Sequence, residues 1–119
     1  MLILETWCDK EIKKGKLTAE EKHNIIDRMN FSTKLDSFNE CDFVVEAIVE
    51  NFEAKWSTFS SLAHILPAHA ILASNTSSIS ITKIAGSVPT IADRVIGMHF
   101  MNPVPVMKLV EVIPGLQTS

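Results

Sequence analysis

The sequence has no basic run longer than Lys13-Lys14, and its 11 Lys and Arg are outnumbered by 14 Asp and Glu for a net charge of −3. Binding nucleic acid or an anionic membrane through a basic surface is therefore excluded as its function. No apolar run approaches the length needed to span a bilayer. Met1-Leu2-Ile3-Leu4 is too short for a signal-peptide core and lacks a basic flank, so a soluble intracellular chain is expected. There are only 2 cysteines, Cys8 and Cys41, far apart and not in a CxxC arrangement. They read as two reduced thiols. The four histidines, His23, His64, His69 and His99, show no metal-ligand spacing, since His64 and His69 would not share a helix face. No metal is expected. Asn30-Phe31-Ser32 and Asn75-Thr76-Ser77 match the glycosylation sequon, a pattern frequent by chance and meaningful only in a secreted protein. The 4 glycines, Gly15, Gly86, Gly97 and Gly115, do not form a G-x-G-x-x-G turn.

What is present suits one globular domain. The chain has 119 residues, 46% of them hydrophobic and 21% charged. That is long enough for a real core, and no repeat, linker or internal boundary is visible. Glu5 to Lys14 reads as a short helix ending at Gly15. Thr18 and Glu21 form a capping box for a helix over Ala19 to Met29. Asn30 to Thr33 reads as a short strand, and Leu35 and Phe38 mark a turn or brief helical piece. Phe43 to Val49 is nearly continuous and β-branched, as in a strand buried on both faces of a parallel sheet. Glu46 is anomalous within it. A helix begins at Asn51, with Phe52, Trp56, Phe59, Leu62, Ala63 and Leu66 on one apolar stripe that stops before Pro67. Such a stripe is core packing. Ala70 to Ser74 is a second buried strand, Ile79 to Ala85 a short helix, and Arg94 to Phe100 and Leu109 to Ile113 two further strands. The alternation indicates an α/β fold with a mainly parallel sheet.

In such sheets ligands bind beyond the carboxyl ends of the strands. Glu50, Asn75 to Ser78 and His99 to Asn102 all fall at those ends. The last two strands each carry one ionisable residue, His99 and Glu111, with Pro103 and Pro105 between them to turn the chain back. A polar residue in an apolar strand is costly unless it is paired or faces a cleft. A carboxylate beside an imidazole fixes the tautomer and favours the protonated ring, which makes a general base. On spacing alone, a core ion pair and a catalytic dyad stand level. Ser77 or Ser78 with His99 and Glu111 also has the composition of a hydrolase triad. However, there is no G-x-S-x-G elbow, and the order Ser, His, Glu is not that of α/β hydrolases.

Asp42-Phe43-Val44-Val45-Glu46-Ala47-Ile48-Val49-Glu50-Asn51, Ala73-Ser74-Asn75-Thr76-Ser77-Ser78 and the run His99 to Val112 closely resemble the NAD-dependent 3-hydroxyacyl-CoA dehydrogenases, including the 3-hydroxybutyryl-CoA dehydrogenases. The resemblance extends from about Cys8 to the end. It implies a Rossmann-type, doubly wound sheet and oxidation of a (3S)-3-hydroxyacyl-CoA to the 3-oxoacyl-CoA in fatty-acid metabolism, with NAD as hydride acceptor. By that resemblance His99 is the catalytic base and Glu111 its orienting carboxylate. Ser77 and Asn102 hydrogen-bond substrate and the nicotinamide end of the cofactor. Glu50 and Lys55 contact the cofactor, and Asn75 lies in the same binding turn. Glu46 belongs to the family pattern without an assigned role.

The departures set further expectations. The family opens with a strand, a G-x-G-x-x-G turn and a helix that holds the pyrophosphate, and it continues into a helical domain that completes the acyl-CoA site and forms a dimer. Relative to that pattern, 1–119 reads as the C-terminal part of an NAD-binding domain, lacking the first βαβ unit and the helical domain. Phe43 to Val49 is then expected to have an open edge that invites self-association. Marginal stability, weak NAD binding and little activity of the chain alone go with it. The alternative is a catalytically inactive short form that serves as an interaction module for a full-length dehydrogenase. The compartments compatible with the family are cytoplasm, mitochondrion and peroxisome.

Overall fold

A computed structural model describes residues 2–119. The chain divides into two compact units, Met1–Thr33 and Lys34–Ser119, a boundary not visible in the sequence.

In the first unit, α1 (Leu2–Lys13) and α2 (Ala19–Asp27) flank a turn at Gly15, whose φ of 70° lies in the left-handed region. The capping box forms as expected: the Glu21 amide donates to Thr18 Oγ1 at 3.1 Å, and the Thr18 amide donates to Glu21 Oε2 at 2.8 Å. Lys22 Nζ meets Asp9 Oδ1 at 2.6 Å and ties the two helices together. Asn30 to Thr33 is not a strand. An extended segment becomes a strand only by sharing a hydrogen-bond ladder, and this one pairs with no strand of the sheet.

The second unit is a four-stranded sheet in the order β1 (Phe43–Glu46), β2 (Ile71–Ser74), β3 (Val95–Phe100), β4 (Val110–Pro114). β1, β2 and β3 run parallel, and β4 returns antiparallel to β3. Helix α3 (Phe52–Ile65) links β1 to β2, and α4 (Ile81–Gly86) links β2 to β3. Asn51 caps α3 by accepting the Ala54 amide at 2.9 Å, and Ser80 caps α4. Short 3-10 turns cover Leu35–Phe38 and Pro89–Arg94.

Strand alternation decides what each face does. Val44, Leu72 and Val95 are in register and bury against Phe59 and Leu62 of α3 and Ile81 and Ile84 of α4, forming the core. Gly97 lies on the same face, where an added Cβ would stand 2.9 Å from Ile81 Cγ1 and 3.0 Å from Ile113 Cβ. Only glycine lets α4 sit this close. On the opposite face Phe43 remains 46% exposed, Val45 38% and Ile71 41%. The expected burial of β1 on both faces is thus not realised; its β-branched run is apolar all round, but only Val44 and Glu46 turn inward. Trp56 departs from the predicted stripe and is 44% exposed. β1 is the outer strand of the sheet, with the open edge the sequence predicts.

Candidate active site

The core face of the sheet changes character along the strands. An apolar row, Val44–Leu72–Val95, is followed by Glu46–Ser74–Gly97; β1 and β2 then release their chains into the segments carrying Glu50 and Ser77, while β3 runs on to carry His99 near its end. Polar groups therefore converge at the carboxyl edge because three strands end together there.

His99 and Glu111 stand directly opposite each other in the antiparallel β3–β4 ladder, and His99 Nδ1 lies 3.1 Å from Glu111 Oε1. The imidazole is 25% exposed and the carboxylate 50%. A carboxylate acceptor on Nδ1 fixes the proton there and leaves Nε2 as the basic nitrogen. The turn through Pro103 and Pro105 thus produces the encounter the sequence suggested.

Glu50 organises the second cluster. Its Oε1 accepts from Thr76 Oγ1 at 2.7 Å, and its Oε2 accepts from the Ser77 amide at 2.9 Å and from Ser77 Oγ at 3.0 Å. These donors, the Thr76 hydroxyl first, then the Ser77 amide and hydroxyl, together with the Lys55 charge, hold the carboxyl at about 2, well below its ordinary 4.5. Glu50 is a fixed anion at any physiological pH. Ser77 is exposed beside it, next to a cleft of about 300 Å³ lined by Ser77, Ser78, Ser80, Thr82, Ile113 and Pro114.

Asn75 braces the two clusters. Its amide donates to the Glu46 carbonyl at 2.8 Å, and its Oδ1 accepts from the Phe100 amide at 2.8 Å, next to His99. Asn102 is exposed in the β3–β4 loop, and no hydrogen bond among the described residues joins it to His99 or Ser77.

Lys55, expected as a cofactor contact by resemblance, has a side chain 2% exposed, with its Nζ at 2.7 Å from Glu46 Oε1 and 3.5 Å from Glu50 Oε1. Glu46, with a side chain 1% exposed, also accepts from Ser74 Oγ at 2.6 Å and from the Ile48 amide at 2.7 Å. Sequence reasoning assigned no role to Glu46 or Ser74; the signal was a carboxylate inside an apolar strand. Cys8 and Cys41 are free thiols. No helix among the described residues is long and apolar enough to cross a membrane.

The fold and the clustering at the carboxyl edge of a parallel sheet define a nucleotide-binding domain of the Rossmann type. Residues 3–119 match the family 3-hydroxyacyl-CoA dehydrogenase, NAD binding domain. The chain is 54% identical over 110 residues to the probable 3-hydroxybutyryl-CoA dehydrogenase of Bacillus subtilis, covering 92% of this chain and 38% of that protein. Its fold superposes on the (S)-3-hydroxybutyryl-CoA dehydrogenase of Ralstonia eutropha with a TM-score of 0.91 at 49% identity, covering 96% of this chain and 40% of the other. The 3-hydroxybutyryl-CoA dehydrogenase of Escherichia coli gives a TM-score of 0.93 at 41% identity, over 98% of this chain and 24% of the other. The chain belongs to the 3-hydroxyacyl-CoA dehydrogenase family, whose NAD-binding domain it matches, and it spans less than half the length of these relatives.

Proposed function

We propose that this chain carries the proton-transfer site of an NAD-dependent 3-hydroxyacyl-CoA dehydrogenase, oxidising a (3S)-3-hydroxyacyl-CoA to the 3-oxoacyl-CoA. The observation that carries this reading is the His99–Glu111 pair, 3.1 Å apart at the strand ends and partly open to solvent, beside the anchored Glu50–Ser77 turn. A core ion pair would be sealed from water, and this one is not.

Glu111 holds the Nδ1 proton of His99 and leaves Nε2 to accept the proton of the substrate 3-hydroxyl. As the O–H bond breaks, its electrons form the carbonyl and the C3 hydrogen departs with its electron pair. Glu111 then steadies the imidazolium. NAD, when bound, supplies the acceptor for that hydride. Ser77 Oγ donates to Glu50 and keeps its lone pairs for an amide donor or ribose hydroxyl, so this turn fits the nicotinamide side of the cofactor. Asn102, exposed in the loop, is assigned to the substrate. Glu50 and Asn75 shape the turn, and Lys55 serves it from beneath. The four glycines lie outside any phosphate-cradling turn, so the pyrophosphate is not held by a Gly-rich loop of residues 1–119. An intact dyad argues against the inactive interaction module. We take a second copy of the protein and acyl-CoA as its partners.

The test is His99→Gln in the protein carrying this chain, with acetoacetyl-CoA and NADH. Turnover falls about 10²–10⁴-fold, the usual cost of removing a general base. Near-normal turnover would reject the assignment.

A further inference from the structure

We infer that Glu46 is the positioning residue of the Glu50–Ser77 turn, acting through Lys55 and Ser74 without touching cofactor or substrate. The inference rests on the reading of that turn as the cofactor-facing part of the site.

A carboxylate this deeply buried must be compensated, and a simple core pair would need only Lys55. Glu46 does more. One oxygen takes Lys55 Nζ at 2.7 Å and the Ile48 amide at 2.7 Å, which bends the chain leaving β1 toward Glu50. The other takes Ser74 Oγ at 2.6 Å, and that hydroxyl oxygen in turn accepts the Thr76 amide at 3.3 Å. The Glu46 carbonyl accepts the Asn75 amide at 2.8 Å. A single residue thus fixes both segments that meet at the turn, the one delivering Glu50 and the one delivering Thr76 and Ser77.

The distances to Lys55 show how the control works. Nζ is hydrogen-bonded to Glu46 and stands back at 3.5 Å from Glu50 Oε1. From there its charge stabilises the Glu50 anion while both Glu50 oxygens remain available to Thr76 and Ser77. With Glu46 neutral, Glu50 becomes the only carboxylate within reach of the ammonium. Lys55 then competes with the Ser77 amide and hydroxyl, and the turn loosens.

The experiment compares wild type with Glu46→Gln, Lys55→Met and the double variant, reading the melting temperature, NMR hydrogen exchange of the Ser77 amide, and NAD titration followed at Ser77 and Glu50. Both single variants lose melting temperature: Lys55→Met leaves Glu46 buried without its counter-charge, and Glu46→Gln leaves the buried ammonium only the more distant Glu50. The double variant removes both charges and recovers most of the loss. In the double variant no ammonium competes for Glu50, but the charged acceptor for the Ile48 amide and the Ser74 hydroxyl is gone, and so is the Lys55 charge beside Glu50. The Ser77 amide therefore still exchanges about tenfold faster and NAD binds about tenfold more weakly, the scale of one charge-assisted hydrogen bond. A refolded double variant with wild-type Ser77 exchange would overturn the inference, since the pair would then be a structural filler. Should the double variant not fold, Ser74→Ala removes only the link between Glu46 and Thr76; unchanged Ser77 exchange there would overturn the inference too. If exchange responds as expected while NAD leaves the wild-type Ser77 and Glu50 signals unmoved, the positioning role stands and the cofactor reading of the turn falls.

Discussion

Two pairs of a carboxylate with a nitrogen base occupy the core face of one sheet: Glu46–Lys55 below β1 and β2, and His99–Glu111 across β3 and β4. The first is sealed, with side chains 1% and 2% exposed, and the second is open, at 25% and 50%. Solvent access makes them different devices. In the sealed pair each charge relies on the other, so removing one leaves an uncompensated ion in low dielectric. In the open pair water replaces a lost partner, so stability depends little on it and the imidazole is free to exchange a proton with a ligand.

The sharpest way to break this contrast is the His99→Gln assay, where the open pair loses about 10²–10⁴-fold in turnover. Next is Lys55→Met, expected to cost about 3–5 kcal/mol in urea unfolding because Glu46 is left charged and buried. A loss below about 1 kcal/mol, the scale of an exposed pair, would erase the distinction. Gly97→Ala, between the two pairs, is expected to cost about 1–3 kcal/mol by overpacking Ile81 and Ile113. An unchanged stability curve would show that α4 shifts freely over the sheet.

Acid titration sharpens the comparison from the side of Glu50. Its folded value, about 2, lies below the ordinary 4.5, so the folded state binds the proton less readily than the unfolded chain. Its contribution to stability is full above about 4.5 and is lost as pH falls toward about 2. In Glu50→Gln, stability should vary less with pH across that window; an identical pH profile would remove Glu50 from the account. The smallest effect is expected for Glu111→Gln, which should alter stability by no more than about 1 kcal/mol, as for other exposed pairs. A larger loss would make the open pair structural.

The sequence made the element types legible wherever a local signal acted alone: the Thr18–Glu21 box, the Asn51 cap, the helix after it with Phe59 and Leu62 inward though not Trp56, and the apolar runs of all four strands. The His99–Glu111 encounter was legible because only a hairpin separates the two residues. What depended on distant partners was not. Asn30 to Thr33 looked extended but found no ladder. Phe43 and Val45 looked buried but face outward. The bonds from Glu46 to Ser74 and Lys55 follow from parallel register and a helix dock, which no local pattern reveals, so Glu46 was an anomaly without a role and the burial of Lys55 beside it was not legible.

The alignment of β3 with β4 has a consequence for how this chain tolerates change. His99 faces Glu111 because the hairpin pairs them, with Val110 and Val112 on either side. Strand side chains alternate, so sliding β4 by a single position would set a valine opposite the imidazole and turn the carboxylate to the other side. The loop between the strands is therefore free to gain or lose residues so long as the ladder keeps its register. An insertion there should be judged by whether it keeps Glu111 opposite His99 and not by its length.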